Sequence, residues 1–369
     1  MRTQMILSAC ISLLFYGACQ QETKERSDHP HEKKTETQSL SAEDQALLQR
    51  ARQFFQPLPS EAPNPENPLN EDKVRLGKML YFDPRLSLSG FISCNSCHNL
   101  ATAGVDNLPT SVGHRWQLGP RNAPTVLNAA LHMAQFWDGR AKDVEEQAGM
   151  PVTNPIEMAM PSEEFALERI ASIPDYVSLF EQAFPNEDSP LNYRNMARAI
   201  GAFERTLLTP SRFDRFLEGE ASALNDQEKR GLKTFIDVGC ITCHTGALLG
   251  GNMYQKFGLF GNYWEYTSSN RIDSGRYVET KNEADVFMFK VPSLRNITLT
   301  YPYFHDGAVW SLDTAVWIMG KVQLGKDLSP DQIQDITAFL GSLSGEIPEA
   351  AMRLPALPPS SDQTPLPRR

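Results

Sequence analysis

Two stretches, Cys94-Asn95-Ser96-Cys97-His98 and Cys240-Ile241-Thr242-Cys243-His244, decide how this chain is organised. Each follows the pattern C-x-x-C-H, the attachment signature of a covalently bound c-type haem. Two thiols separated by two residues fit on about one helical turn, so both can reach the two vinyl groups on one edge of a porphyrin. The histidine that follows can then reach the iron as its proximal ligand. The pattern predicts two covalently bound haem c groups, with His98 and His244 as iron ligands.

Two other kinds of site use the same cysteine spacing. A pair of zinc knuckles, or a pair of redox-active C-x-x-C sites, would also bring two thiols together. In this chain a histidine directly follows the second cysteine of both pairs. That histidine favours haem over both alternatives.

The remaining cysteines indicate an exported protein. Four of the six cysteines belong to the haem motifs, and Cys10 and Cys19 lie in an N-terminal apolar segment, so no pair is left for a structural disulfide. The apolar run after Arg2 is too short to span a membrane and is typical of an export signal. Small residues before Cys19 resemble a lipoprotein cleavage site, and Gln20 favours the outer membrane. We therefore expect a periplasmic protein with a lipid on Cys19.

Length and charge limit the class of protein. The 369 residues are enough for about two to three domains. The hydrophobic fraction of 41% is ordinary for a globular protein. A net charge of -10 at pH 7 argues against a nucleic-acid partner and permits docking of a basic protein.

The predicted fold class is mostly α, with two cytochrome c-like haem domains, long loops and little strand. The predicted segments are a signal peptide (1–19), a polar tether with a short helix (20–56), an N-terminal haem domain (57–208) and a C-terminal haem domain (209–345). The proline-rich end, 346–369, is expected to lie extended and partly disordered and to complete the N-terminal domain.

Hydrophobic periodicity predicts the helices. They cover residues 41–55, 70–81, 162–172, 175–183 and 191–208, a helix that starts with the capping box Asn225 and Glu228, and a last helix over 329–343. Residues 246–277 are expected to be mostly loop, and 286–291 is the best strand candidate. Beyond a helix followed by C-x-x-C-H, the two halves show no residue-by-residue repeat.

The residues around the motifs carry a resemblance that is more specific than the motifs. They are Gly104-Val105-Asp106, Gly113-His114, Arg121-Asn122-Ala123-Pro124-Thr125, Gln135-Phe136-Trp137-Asp138-Gly139-Arg140, Glu146-Gln147, Glu157-Met158, Val291-Pro292-Ser293-Leu294-Arg295-Asn296 and Thr300-Tyr301-Pro302-Tyr303-Phe304-His305-Asp306-Gly307. Over roughly residues 65–350, the chain closely resembles the bacterial dihaem cytochrome c peroxidases.

The resemblance implies a ligand pair for the haem attached at Cys240 and Cys243. Met319 matches the family's sixth ligand, opposite His244. A methionine sulfur raises the haem potential and suits a site where electrons enter. The alternative is that Met319 only packs in a helix with Trp317.

For the haem attached at Cys94 and Cys97, His114 matches the family's displaceable sixth ligand, opposite His98. It lies in a polar loop flanked by glycine, which suits movement. Its displacement would open the iron to peroxide. Without the resemblance, His114 would be interpreted as a surface histidine.

Catalytic roles also follow from the resemblance. Glu157 matches the family's acid–base, which would move a proton from one peroxide oxygen to the other. Gln147 matches its hydrogen-bonding companion. The alternative is that Glu157 belongs to a solvated turn after Asn154-Pro155.

Further positions match the region between the haems. Trp137 matches an aromatic residue that couples the haems, although large aromatic residues are most often core. His305 matches a residue near the haem interface, whereas His132 is expected to be a packed or exposed helix residue.

A calcium site is implied at the domain interface. Asn122 and the backbone carbonyls of Thr300 and Pro302 match its ligands, and oxygen ligands of this kind suit Ca²⁺.

The resemblance implies a periplasmic enzyme that reduces hydrogen peroxide to water. Its electrons would come from a small donor, a monohaem cytochrome c or a cupredoxin, and the family commonly forms homodimers. One alternative is a related dihaem oxidase that modifies a partner protein; it has a tyrosine in place of the methionine ligand and lacks the glutamate, so Met319 and Glu157 argue against it. Another is a dihaem electron carrier without catalysis.

Overall fold

The computed structural model describes residues 41–368. The predicted export signal, the lipidated Cys19 and most of the polar tether lie outside the described residues. Between 41 and 368, no helix is both long and apolar enough to cross a bilayer.

The described chain is mostly helical. Its α-helices are α1 Ala42–Ala51, α2 Glu71–Phe82, α3 Cys94–Cys97, α4 Val144–Thr153, α5 Glu163–Ala171, α6 Pro174–Ala183, α7 Tyr193–Glu204, α8 Arg212–Glu218, α9 Asp226–Val238, α10 Tyr263–Thr267, α11 Tyr277–Thr280, α12 Leu312–Leu324, α13 Pro330–Gly341 and α14 Glu349–Met352. Two short strands, β1 Tyr254–Lys256 and β2 Met288–Lys290, pair antiparallel. The predicted mostly α fold with little strand is confirmed.

Side-chain caps explain where the helices begin. Asn70 accepts a hydrogen bond from the Lys73 amide at the start of α2, and Asn192 does the same for Asn195 in α7. At α9, the predicted capping box is present, because Asn225 and Glu228 each accept from the other's backbone amide.

The helices enclose two large apolar cores, and a smaller third one lies between α12 and the loop that contains Tyr303 and Val309. The first lies among α2 and α4 to α7 and contains Leu76, Ile200 and Phe203, together with Ala351 from α14. The second lies among α1, α8, α9 and α13. In each of these two large cores, two helices cross closely at a glycine: a Cβ on Gly77 of α2 would lie 1.8 Å from the Ala199 carbonyl oxygen of α7. Gly231 of α9 meets α13 in the same way.

The C-terminal segment is more ordered than the sequence suggests. Beyond α14, the Ser361 hydroxyl donates to the Ser172 carbonyl at 2.6 Å, and the Arg368 amide donates to the Leu88 carbonyl at 2.9 Å. The predicted partial disorder is therefore wrong for the described part of 346–369, because backbone and hydroxyl groups bond it along the first core.

The two halves contain a structural repeat, so the expectation that none exists is wrong. Asn128 and Asn296 follow equivalent Pro-containing loops, both have a positive φ near 60°, and both donate from their side-chain amides to the buried hydroxyl of Thr209, at 2.8 and 2.9 Å. Each is followed by a similar closed loop, bridged between Gln135 and Ala141 in one half and between Tyr303 and Val309 in the other. The repeat is also visible in the sequence, where the residues that the two segments share recur at the same spacing: Pro124, Asn128, Phe136, Asp138 and Gly139 in the first and Pro292, Asn296, Phe304, Asp306 and Gly307 in the second.

Candidate active site

The first C-x-x-C-H motif opens onto a cavity of about 1810 Å³, open mouth included. Cys94, Cys97 and His98 line it, and so do Gln147 of α4 and Glu157 of the loop that follows. The second motif opens onto a cavity of about 1690 Å³, lined by Cys240, Cys243, His244 and Met319 among others. Each cavity is thus lined by both thiols and the histidine of one motif, the set of side chains that would hold a covalently attached haem.

Both motif histidines are oriented by backbone carbonyls. The His98 Nδ1 lies 3.0 Å from the Pro124 oxygen, and the His244 Nδ1 lies 2.9 Å from the Leu249 oxygen. Since a carbonyl can only accept, Nδ1 carries the proton and Nε2 keeps its lone pair. Burial lowers the pKa of both imidazoles, which keeps them neutral. This is the tautomer and the charge state of an iron-binding histidine.

None of the four motif cysteines belongs to a disulfide, and all four side chains are partly or fully buried. Burial raises the pKa of Cys97 to about 11 and that of Cys240 to about 12. A redox-active C-x-x-C pair needs a lowered thiol pKa, because the thiolate is the reactive form. Attachment to a haem through thioether bonds fits these thiols better than the redox alternative does.

Glu157 and Gln147 face the first cavity together. The Asn154 side-chain amide donates to the Glu157 Oε1 at 3.0 Å and holds the carboxyl in place. Burial raises the pKa of Glu157, and the nearby Arg140 guanidinium opposes that rise. A carboxyl with a raised pKa can both hold and release a proton near neutral pH. Glu157 lies on a turn, as that alternative expects, but its side chain is half-buried and lines the cavity.

His114 is buried and lies beside this cavity. Its backbone amide donates to the carbonyls of Ile156 and Glu157, at 2.8 and 2.9 Å. Gly113 is among the residues that line the cavity, whereas the His114 ring is not. The ring's Nδ1 is buried and has no hydrogen-bond partner. His114 is thus bonded to the backbone of the Glu157 loop but stands apart from the cavity wall.

Trp137 lines both cavities. Its indole Nε1 donates to the Asn122 carbonyl at 2.9 Å, and its ring meets the His305 ring edge-on at 6.2 Å between centroids. Trp137 and His305 occupy equivalent places in the two repeated loops. The pair forms an aromatic contact between the halves.

The three residues matched to a calcium site, Asn122, Thr300 and Pro302, all line the second cavity. The Asn122 amide nitrogen donates to the Leu108 carbonyl at 2.9 Å, which leaves its Oδ1 available to another partner. The donor set is made of neutral oxygens, which Ca²⁺ accepts.

Comparison with known proteins agrees with this arrangement. A family model described as di-haem cytochrome c peroxidase matches residues 71–222. The cytochrome c551 peroxidase of Pseudomonas aeruginosa is 48% identical over 328 residues, which cover 88% of this chain and 94% of that protein. This chain belongs to the di-haem cytochrome c peroxidase family. The resemblance seen in the sequence is confirmed, and the chain is a haem peroxidase with two haem c groups.

Two further relatives place this di-haem peroxidase within its family. The cytochrome c551 peroxidase of Nitrosomonas europaea is 50% identical over 299 residues, covering 81% of this chain and 87% of that protein. Among solved structures, a MauG-like protein associated with microbial copper homeostasis has a TM-score of 0.72 at 28% identity, covering 81% of this chain and 97% of that one.

Sequence reasoning missed three polar residues that face the cavities of this peroxidase. Glu204 of α7 lines the first cavity, and its pKa is raised to about 8 by burial and by Glu145. Lys290 and His132 line the second cavity and lie 3.1 Å apart. His132 follows a single helical turn and is not a helix residue, contrary to expectation. A charged residue inside an apolar run was the available signal for Glu204 and Lys290.

Proposed function

We propose that this peroxidase reduces hydrogen peroxide in the first cavity, by H₂O₂ + 2 H⁺ + 2 e⁻ → 2 H₂O. The observation that carries the proposal is that Glu157 and Gln147 share one cavity with Cys94, Cys97 and His98. The names of these relatives, cytochrome c551 peroxidases, support a cytochrome as the electron source.

Glu157 would act as the acid–base in this cavity. Peroxide cleavage needs a proton to leave one oxygen and arrive at the other, and a buried carboxyl with a raised pKa can do both. Gln147 would donate a hydrogen bond that orients the peroxide. When bound, the haems would supply the electrons and the iron centre at which the O–O bond breaks.

The second cavity would receive electrons from a small soluble donor, a monohaem cytochrome c or a cupredoxin. His244 and Met319, which both line it, would be the iron ligands there. Met319 lies on α12. Trp137 would couple the two cavities, because its ring lines both. Residues 57–208 together with 346–369 would form the peroxidatic domain, and residues 209–345 would form the domain at which electrons enter.

His114 would be a displaceable iron ligand for the haem attached at Cys94 and Cys97, and its backbone bonds to the Glu157 loop would keep the ring close to the first cavity when it is not bound. Ca²⁺ bound by Asn122, Thr300 and Pro302 would favour the active arrangement. Optical spectra of the half-reduced protein, recorded with calcium and after chelation, test both roles. A calcium-dependent high-spin haem is expected, and its absence in both samples would remove His114 displacement from the proposal.

We further propose a periplasmic homodimer that is anchored to the outer membrane through a lipid on Cys19. Haem c attachment outside the cytoplasm and the export signal support the location. Mass spectrometry of the mature protein tests the lipid, and size-exclusion chromatography with light scattering tests the dimer.

The direct test of the activity uses the holoprotein with a reduced small cytochrome c. Two cytochromes should be oxidised for each peroxide consumed, without release of oxygen. A dihaem carrier would show no rapid oxidation by peroxide, and a protein-modifying oxidase would not turn over with the small cytochrome. Either result would overturn the proposal.

A further inference from the structure

The second cavity contains a buried cation for which the protein supplies no anion. Lys290 is only 5% exposed, and its pKa is lowered to about 8 by burial. Its Nζ lies 3.1 Å from the His132 Nδ1. Among the described residues, no carboxylate forms an ion pair with it. A buried charge is costly unless it is paired, so this amine needs an acceptor.

His132 provides a second donor beside the lysine. An ammonium group can only donate, so the His132 Nδ1 accepts and Nε2 carries the ring's proton. That Nε2 is buried and has no hydrogen-bond partner. A buried donor without a partner destabilises the folded protein, because it has given up its hydrogen bonds to water. Two donors without an acceptor therefore lie next to each other in one cavity.

The backbone holds this pair in place. The Lys290 amide donates to the Trp137 carbonyl at 2.8 Å, and Tyr254 pairs with Lys290 across the β1–β2 ribbon. Gly251 leaves room for the imidazole, since a Cβ there would lie 2.6 Å from the His132 Cδ2. Both side chains line the cavity that also contains Cys240 and Cys243.

We propose that Lys290 binds one propionate carboxylate of the haem attached at Cys240 and Cys243, with His132 holding the ammonium group in place. The carboxylate would accept from the Lys290 Nζ and neutralise its charge, while the His132 Nδ1 accepts from the same Nζ and orients it. The inference rests on the proposed attachment of a haem at these two cysteines. The Lys290 amide is hydrogen-bonded to the Trp137 carbonyl. The propionate contact, called the clamp below, would therefore also link the edge of this haem to the residue that lines both cavities.

The test measures the reduction potential of the second haem in Lys290→Met. Removing one positive charge favours the oxidised iron, and we expect the ratio of reduced to oxidised haem to fall about tenfold, or ~59 mV for one electron. Lys290→Arg should restore most of the potential. Lys281→Met removes an exposed lysine shortly before β2 and should leave the potential unchanged.

A second readout follows the carboxylate itself. Redox difference infrared spectra, recorded with haem labelled with ¹³C at the propionates, should show the labelled band shifted in Lys290→Met and in His132→Gln. If Lys290→Met loses haem while Lys290→Arg retains it, the loss supports the clamp. Two attached haems, an unchanged potential and unchanged propionate bands in Lys290→Met would overturn it. A wild-type mass without a haem at Cys240 and Cys243 would instead refute the proposed attachment.

Discussion

Replacing Glu157 by glutamine isolates the proton-transfer step of this peroxidase. The glutamine Oε1 can still accept the hydrogen bond that Asn154 donates at 3.0 Å, so the side chain should keep its place. The glutamine side chain has no acidic proton that it could donate to peroxide and take up again. General acid–base catalysis contributes about 10²–10⁴-fold, so kcat/KM for peroxide should fall by that factor. At 1.36 kcal/mol for each tenfold change, this is a rise of roughly 2.7–5.4 kcal/mol in the activation free energy.

The assay is steady-state oxidation of a reduced small cytochrome c by peroxide, with haem content fixed from the optical spectrum. Burial raises the pKa of Glu157, so the wild-type rate should change with pH as this carboxyl titrates, and the variant should lose that dependence. Glu168→Gln is the matched control, since it makes the same change on the exposed side of α5. Glu157→Gln protein with both haems and a kcat/KM within twofold of wild type would refute the acid–base role.

Three other predictions concern the buried ion pair and the aromatic bridge. Arg295 and Asp214 form a buried ion pair, in which the guanidinium donates to one Asp214 oxygen at 2.7 Å. Arg295→Met leaves the Asp214 carboxylate buried without this partner. The free energy of unfolding should therefore fall by about 3–5 kcal/mol in a denaturant titration. Burial alone would raise the pKa of Asp214, but the hydrogen bonds and charge of Arg295 hold it below its usual 3.8. The stability that this carboxylate contributes is therefore present above pH 3.8 and should be lost as the pH falls towards the lowered pKa, which thermal melts across that range would show. Trp137→Phe should keep both haems but slow electron transfer between them, measured by stopped-flow after peroxide is added to the half-reduced protein; an unchanged rate would discard Trp137 as the bridge.

Short-range patterns predicted seven of the fourteen α-helices in the described part of the chain, namely α1, α2, α5, α6, α7, α9 and α13, but not the 13-residue α12. The capping box of Asn225 and Glu228 and the apolar spacing of Met196, Ile200 and Phe203 depend on neighbours within one or two turns, and the structure contains both. The helix α4 was not predicted, because Pro151 lies inside it and its apolar residues are few. Tertiary packing against α7 holds that helix in place.

The motif residues were predictable for a different reason. C-x-x-C-H places its chemistry within five residues, so the sequence alone indicates the two cavities. The contact between Lys290 and His132 joins residues that are far apart in the chain, and no local pattern pairs them. The position of the His114 ring likewise depends on the backbone bonds to the Glu157 loop, which only the fold reveals.

The convergence of Asn128 and Asn296 on the Thr209 hydroxyl has a consequence for how such a chain can diverge. Both structurally equivalent loops are hydrogen-bonded to the same Thr209 oxygen. Substitutions of the outer side chains in either loop therefore leave the two loops aligned with each other. Trp137 in one half and His305 in the other show how far that divergence has gone. The buried Thr209 hydroxyl thus keeps the two similar halves aligned while the side chains of their loops, and the functions of those side chains, differ.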